Sequence, residues 1–167
     1  MARLVPFFLV AALMMGCGPK TKRLSAVEQD HYYALKVFMD KDLEKAFLKE
    51  KTEEERNAVL KAAGMWDRFY QYDAAMREAI VAGEVGLGWT EDRMFMSWGN
   101  PIDRRRMTGR PASRSEMFTY RFEVDTHGVV RLWTPKSKTA YQAVHQYEID
   151  VVVDDQRITE MVKRDKW

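Results

Sequence analysis

The chain has 167 residues, a length that suits one ordinary domain and argues against two large ones. Hydrophobic residues make up 46% and charged residues 31%, which indicates a chain that buries a core and excludes a disordered one. The chain has 27 Lys and Arg residues and 25 Asp and Glu residues, a net charge of +2. This small net charge gives no support for nucleic-acid binding. One cysteine excludes a disulfide scaffold and a cysteine zinc cluster, and three histidines are too few for a three-histidine metal site with a separate acid–base histidine.

The first segment combines a positive charge with an uncharged apolar run. Arg3 precedes residues 4–15, which contain no charged side chain. As a helix this run reaches about 18 Å at ~1.5 Å per residue, short of the ~30 Å hydrocarbon core of a membrane. The pattern therefore predicts a signal peptide over residues 1–16 and argues against a transmembrane helix.

The end of the apolar run resembles a bacterial lipobox. It reads Leu-Met-Met-Gly-Cys, with a small residue directly before Cys17, the only cysteine of the chain. The resemblance to bacterial lipoproteins implies cleavage before Cys17 and attachment of several acyl chains, palmitate among them, and several chains make a durable anchor. The alternative is a buried cysteine in an ordinary secreted protein.

The residues after Cys17 predict where the anchor lies. Gly18 and Pro19 follow the cysteine without an aspartate, which favours the outer membrane, with the protein facing the periplasm. Residues 17–24 then form the lipidated cysteine and a short tether. The tether is basic, so it either contacts anionic headgroups or is a solvated linker.

Residues 25–82 contain the start and stop signals of several short helices. Capping boxes predict helix starts at Ser25 and Thr52, Gly64 predicts a left-handed stop, and Asp73 predicts the start of another helix. Between them, Trp66, Phe69 and Tyr70 occur at the spacing of one helix face. This spacing favours core packing over an aromatic ligand box.

The next segment has the clearest helix boundaries. Three glycines lie within residues 83–89, but no Gly-Lys-Ser/Thr follows and no βαβ unit surrounds them, so a phosphate loop is disfavoured. Thr90 predicts the N-cap of a helix, Gly99 predicts its end with a positive φ, and Pro101 prevents continuation.

These boundary residues resemble a known group of envelope proteins. Gly88, Trp89 and Thr90, followed by Trp98, Gly99 and Pro101, are similar to the signature of the SmpA/OmlA (BamE-like) outer-membrane lipoproteins. In that group a Gly-x-Thr start opens a helix that ends in Leu-Gly-x-Pro, and a three-stranded antiparallel sheet follows. Residues 88–92 also resemble the GWxTD domain of bacterial envelope proteins. The first resemblance implies a BamE-like α+β domain over residues 83–167 and a role in outer-membrane protein assembly or envelope integrity.

The second half of the chain alternates apolar and polar residues. Residues 118–124 and 147–153 follow a period of two, and residues 157–163 predict a closing strand after a hairpin turn at Asp154 and Asp155. A further return strand is predicted at 129–133. We therefore expect an α+β fold, with a helical N-terminal half packed on a small antiparallel sheet of three to four strands.

Five arginines lie within the eleven residues 104–114, after Pro101: Arg104, Arg105, Arg106, Arg110 and Arg114. We interpret them as an exposed loop that, with the polar face of the sheet, contacts a protein partner or lipid headgroups, since guanidinium groups bind carboxylates and phosphates bidentately. The alternative is a basic loop paired with local acids. The export signal argues against nucleic acid as the partner.

The sequence contains no pattern that predicts catalysis. His145 is expected to be packed or hydrogen-bonded, and we predict no catalytic residue, cofactor or metal site. Our first hypothesis is a lipid-anchored periplasmic interaction protein whose partners are the membrane and other envelope proteins. The second is a module that binds an anionic lipid or a cell-wall fragment, and an enzyme ranks last.

Overall fold

The structure, a computed structural model, describes residues 21–134 and 141–165. In these ranges six α-helices precede a five-stranded antiparallel sheet, so the predicted α+β fold with a helical N-terminal half is confirmed. The sheet has one strand more than the three to four that the sequence predicts. The extra strand is a short arginine-rich edge strand.

The helices are all short. Their bounds are α1 Ala26–Leu35, α2 Lys41–Lys49, α3 Glu53–Ala62, α4 Met65–Tyr70, α5 Ala74–Val81 and α6 Glu91–Trp98, with 3₁₀ turns at Thr21–Arg23 and Lys36–Phe38.

Each predicted helix start is confirmed by its capping hydrogen bonds. The Ser25 hydroxyl accepts from the N–H of Glu28, and the Glu28 carboxylate accepts from the N–H of Ser25 at 2.8 Å. Thr52 and Glu55 make the same reciprocal pair at α3. These bonds satisfy N–H groups that have no partner inside the helix, which is why local sequence alone determines where the helices begin.

The aromatic residues of α4 pack against α1, as their spacing predicts. Phe69 is buried, and Trp66 stacks on Tyr70 with ring centroids 4.4 Å apart. His31 of α1 lies among these rings, and its Nε2 is 2.7 Å from the Tyr70 hydroxyl. Burial lowers the pKa of His31 below its usual value and so favours the neutral imidazole.

The five strands form one antiparallel sheet. Their bounds are β1 Asp103–Arg106, β2 Ser115–Asp125, β3 Val130–Leu132, β4 Ala143–Asp154 and β5 Arg157–Asp165. β2 pairs with β4 along one edge and with both β1 and β3 along the other, and β5 follows β4. The predicted hairpin turn is confirmed, because Asp155 and Gln156 both have positive φ between β4 and β5, as a type I′ turn requires.

The register gives the sheet two chemically different faces. Phe118 pairs with Val151 and Tyr120 pairs with Ile149, and these side chains face α6 on what we call the helix face. The intervening residues point to the opposite side, which we call the outer face. One face is therefore the apolar core side and the other is polar.

Helix α6 lies between two apolar clusters. Met94 and Trp98 belong to the cluster on the helix face of the sheet, together with Phe118, whereas Met96 belongs to a second cluster formed with α1–α5. The Trp98 indole N–H also donates to the carbonyl of Gly83 at 2.8 Å. The helical half is thus joined to the sheet largely through the two sides of one eight-residue helix.

The glycine-rich connection before α6 pairs with the start of β5. The N–H of Gly88 donates to the carbonyl of Ile158 at 2.8 Å, and the N–H of Ile158 donates to the carbonyl of Trp89 at 2.8 Å. Thr90 then begins α6 as its N-cap and bridges Arg157. The connection therefore fixes the first residues of β5 through backbone hydrogen bonds.

Gly99 ends α6 in a conformation that favours glycine. Its φ is 68° and its ψ is −149°, so the positive φ that the sequence predicts is confirmed. Its N–H donates to the carbonyl of Phe95, and its own carbonyl accepts from the Tyr120 hydroxyl at 3.0 Å. These bonds fix a backbone geometry that is essentially restricted to glycine.

We expect Gly99→Ala to lower the free energy of unfolding by about 1–2 kcal/mol. A Cβ at this position would meet no atom within 4 Å, so the loss would come from backbone strain and not from a clash. Urea denaturation measures the effect. Gly86, whose φ lies outside the left-handed region, is the matched control, and an equal loss in Gly86→Ala would contradict the explanation.

Candidate interaction surface

No helix covers the outer face of the sheet in the part of the chain that the structure describes. A ladder of paired charges lies there instead: Arg121 contacts Glu148 at 2.9 Å, and Arg164 contacts Asp150 at 2.7 Å. Thr119 also donates to Asp150 at 2.7 Å. Opposite charges meet because cross-strand neighbours are about 5 Å apart on one face of a sheet.

The carboxylates of this ladder are buried although their face is open. Glu148 is only 4% exposed and Asp150 only 8%, because the long arginine side chains lie across them. Arg121 and Arg164 themselves keep 31% and 42% of their side-chain surface exposed. The outer face therefore presents guanidinium groups that are held in fixed orientations, with the acids beneath them.

The ladder ends at the turn between β2 and β3. Asp125 accepts from the N–H groups of His127 and Val129, and Arg131 contacts it at 3.1 Å. Burial by itself would raise the pKa of the Asp125 carboxyl, but these N–H groups and the guanidinium hold it below its usual value. At this end of the outer face, two backbone N–H groups and a guanidinium thus stabilise the ionised carboxylate of Asp125.

The five sequence-predicted arginines do not form one exposed loop. Arg104, Arg105 and Arg106 lie in β1, which pairs with β2, so their assignment to a loop is wrong. The backbone bonds of an edge strand stabilise this segment without any apolar side chain. Because side chains alternate, Arg105 points to the outer face, whereas its two neighbours are on the side of the helix face.

Two of the arginines bind acids of α6 and β2. Arg104 contacts Glu116 at 2.8 Å, and Arg114 contacts both Glu116 and Glu91, the latter at 3.3 Å. The bond from Arg104 lowers the pKa of the Glu116 carboxyl, whereas burial raises that of Glu91. This cluster links α6 to β1 and β2.

Arg110 holds the segment between β1 and β2 against the β4–β5 hairpin. Its Nε and Nη2 both donate to Asp154, at 3.0 and 2.7 Å, and Nη2 also contacts Glu160 at 2.7 Å. Bonds from Arg110, Ser115 and Thr159 lower the pKa of the Asp154 carboxyl well below its usual range. Arg110 is therefore bound to this structure and is not available as an isolated cation.

Four of the five arginines have exposed side chains, but among the described residues only Arg105 and Arg106 bind no acid outside β1. Arg105 contacts Asp103 at 3.1 Å but is 57% exposed. Arg106 is exposed, and no carboxylate among the described residues lies within ion-pair distance of it. The structure thus brings Arg104 and Arg114 together, binds Arg110 elsewhere, and leaves Arg105 and Arg106 on opposite sides of one edge strand.

A polar groove of about 410 Å³ lies where α6 meets the sheet. It is lined by Gln71, Tyr72, Thr90, Glu91, Asp92, Arg114 and Gln156. The sequence does not predict it, because its lining comes from four separate segments. The only sequence signal is the pair of acids in the first turn of α6, which also complement the helix dipole.

The remaining sequence predictions concern single residues. The His145 Nε2 is 3.5 Å from Asp165, and its ring centroid is 6.0 Å from that of Tyr147. Cys17 lies outside the described residues, and its lipidation stays a prediction. Over residues 21–134 and 141–165, no helix is long and apolar enough to cross a membrane, and no group of three metal-binding side chains occurs.

The outer-face ladder was missed as a set by the sequence analysis, although its positions were predicted to be polar. Arg121 and Glu148 belong to different strands, and only the register shows that they meet. Opposite charges at equivalent positions of two alternating segments are the signal that could have indicated it.

Comparison of the chain with protein-family models, curated proteins and solved structures finds no significant match.

Proposed function

We propose that this protein is a lipid-anchored interaction protein of the bacterial cell envelope that docks on other envelope proteins through the outer face of its sheet. The observation that carries the proposal is the ladder of Arg121, Glu148, Asp150 and Arg164 on a face without helical cover. A surface of oriented, half-exposed guanidinium groups offers directed donors to a partner without loss of side-chain freedom on binding.

The sequence supports both the anchor and the setting. The lipobox-like residues that end in Cys17 support attachment to the outer membrane on the periplasmic side. The BamE-like residues around Thr90 and Gly99 support a part in outer-membrane protein assembly or envelope integrity. The partners under this proposal are the membrane, through the lipid, and other envelope proteins, through the sheet.

A module that binds an anionic lipid or a cell-wall fragment receives less support. Arg104, Arg110 and Arg114 each bind a carboxylate of the same chain, as Arg121 and Arg164 do. A phosphate group is an acceptor only and would have to displace those acids, whereas a protein can offer both donors and acceptors to paired charges. Arg105 and Arg106 remain, but they project to opposite sides of β1. Two separated cations are a weak site for a multivalent anion.

Under the proposed anchor, Cys17→Ala should release the protein from the membrane fraction and block lipoprotein processing. The reason is that the acyl chains of the proposed anchor are attached to this residue. Fractionation of cells that express either form measures the release. Equal membrane association of wild type and Cys17→Ala would contradict the lipoprotein assignment.

Affinity purification of the wild-type chain from detergent extracts tests the docking surface. Other envelope proteins should co-purify, whereas recovery of lipid or glycan alone would favour the binding module. Arg105→Glu, on the outer face, should weaken capture several-fold and make it less sensitive to salt. Arg106→Glu is the matched control, since it makes the same change at the neighbouring exposed residue on the other side of β1.

Loss of capture in both variants alike would place the contact on β1 itself and not on the outer face. Circular dichroism of each variant reports whether the fold is retained.

A further inference from the structure

One side of α2 carries a row of three lysines. Lys41, Lys45 and Lys49 are all exposed and follow one another at a spacing of four residues. This spacing places them on one side of the helix, about 6 Å apart along its axis, and we call this side the lysine face. No carboxylate of the described residues lies within ion-pair distance of any of the three ammonium groups. The lysine face is therefore a row of three unpaired positive charges.

Packing of the opposite side fixes the direction of the lysine face. Phe47 is fully buried and stacks on Tyr32 of α1, with ring centroids 5.9 Å apart. Because Phe47 lies half a turn from Lys45 and from Lys49, burial of its side of α2 holds the lysines in solvent. The Tyr32 hydroxyl also donates to Glu44 at 2.5 Å, which holds this acid of α2 toward α1.

The acids around α2 leave the lysine face positive. Asp42 is the exposed acid of the helix itself, and it has no ion pair among the described residues. Asp40 accepts from the N–H of Leu43 at 2.8 Å, and residues 53–55 are three glutamates in the first turn of α3. Both sets of carboxylates lie at the positive end of a helix dipole, which offsets part of their charge. The three lysines thus outnumber the one acid beside them.

The first described residues are fixed next to the end of α2. Arg23 donates through Nη2 to the carbonyl of Leu48 at 3.2 Å, and Leu48 directly precedes Lys49. Leu24 is 6% exposed and belongs to the same apolar cluster as Phe47. These contacts place Arg23, itself an exposed cation, beside the lysine face.

The proposed anchor brings a membrane to the same place. Cys17 is four residues before Thr21, and a fully extended chain spans at most about 14 Å over that distance. Because residues 21–24 are bound to the folded chain, acyl chains on Cys17 would keep the bilayer surface within that reach of Thr21. The part of the protein nearest the bilayer is then the part that carries the lysine face. This reach is the reason for choosing a membrane over an acidic protein as the occupant.

We propose that the lysine face of α2, together with Arg23, lies on the headgroups of anionic phospholipids and so orients the anchored domain. The inference rests on the proposed anchor, which supplies the membrane, whereas the contact itself is the attraction of each lysine to an anionic bilayer. The lysine face has no ion pairs that headgroups would need to displace. The contact is with a charged surface and not with one lipid held in a site. No residue of the sheet takes part, so the outer face stays available to a protein partner.

Lysine labelling of the reconstituted protein tests the contact. The purified protein, with its lipid, is placed in vesicles of phosphatidylcholine alone or of phosphatidylcholine with phosphatidylglycerol. An uncharged amine reagent is added, and mass spectrometry measures how fast each lysine reacts. We expect Lys41, Lys45 and Lys49 to react about fivefold more slowly in the vesicles with phosphatidylglycerol. Lys61, an exposed lysine of α3 that lies over the Trp66 ring, should react equally in both, and high salt should remove the difference.

Two charge reversals separate the lysine face from net charge. Lys45→Glu, in the middle of the face, should abolish the slower labelling of Lys41 and Lys49 in anionic vesicles. Arg106→Glu makes the same change in net charge on β1 and should leave the slower labelling unchanged. Asp42→Asn removes the acid beside the lysines and should slow their labelling further. Equal effects of the two reversals would overturn the proposal, since net charge would then explain the binding.

Flotation of the vesicles separates failure of the anchor from failure of this contact. A chain that does not float with phosphatidylcholine alone would contradict the anchor and would overturn this proposal with it. A chain that floats, but whose lysines react equally in both kinds of vesicle, would overturn the proposal and leave the anchor intact. Slower labelling in native envelopes but not in vesicles with phosphatidylglycerol would show that the lysine face binds a protein, which would also overturn it.

Discussion

Arg56→Met should lower the free energy of unfolding by about 3–5 kcal/mol, because it would leave a buried carboxylate without its partner. Arg56 Nε contacts Glu28 at 2.5 Å, and their side chains are only 6% and 2% exposed. Burial alone would raise the pKa of Glu28, but the guanidinium and the N–H of Ser25 hold it below its usual value. Chemical denaturation at pH 7 measures the loss.

The pH dependence of that loss identifies its cause. In the wild type the lowered pKa of Glu28 contributes stability that is present above its ordinary value of 4.5 and is lost as the pH falls through the lower folded value. In Arg56→Met the buried carboxyl would instead bind a proton on folding, so the deficit relative to wild type should shrink as the pH approaches 4.5.

A double variant separates the unpaired charge from lost packing. Glu28→Gln with Arg56→Met removes both charges, and an amide can still accept the capping bond from Ser25. This variant should recover most of the stability at pH 7. A double variant as unstable as Arg56→Met would show that the guanidinium acts through packing and through its bond to the carbonyl of Glu50.

Trp98→Ala should cost about 3–5 kcal/mol of unfolding free energy, the range for truncation of a buried aromatic side chain. Trp98 is 4% exposed, and its ring meets those of Tyr120 and Phe122 edge-on at 5.1 Å each. Its removal would leave a cavity at the centre of the cluster between α6 and the sheet. Denaturation measures the loss, and near-ultraviolet circular dichroism reports the altered packing of the remaining rings.

Trp98→Phe is the matched comparison. It keeps an aromatic ring but loses the N–H that donates to the carbonyl of Gly83, so the expected cost is about 1–3 kcal/mol for an unpaired carbonyl and a smaller ring. If the two variants were equally unstable, the hydrogen bond and not the ring would account for the stability.

Local sequence predicted the elements whose stability is itself local. Ser25, Thr52, Asp73 and Thr90 begin helices because their side chains bond to N–H groups three residues away. β2, β4 and the hairpin before β5 were predicted because a strand with one buried face must alternate. All four residues of β1 are exposed, so β1 has no buried face and its sequence shows no alternation of apolar and polar residues. Only its backbone pairing with β2 identifies β1 as a strand.

The sequence predicted which segment carries the candidate surface, but it did not predict which acids its arginines contact. Arg110 meets Asp154 and Glu160, which are 44 and 50 residues away along the chain. Nothing in the residues around Arg110 indicates those acids, because their proximity depends on the sheet register and on the hairpin turn. The alternative of a basic segment paired with acids describes Arg104, Arg110 and Arg114, although the acids come mostly from distant segments.

The position of α6 between two apolar clusters bears on how such a chain can be divided or recombined. A fragment beginning at residue 83 would keep the sheet but expose Met96, whose side chain completes the cluster of α1–α5. A fragment ending at residue 82 would lose that same side chain. Neither piece could be moved to another protein with its apolar surfaces intact, so exchange of one would require redesign of the surface left behind.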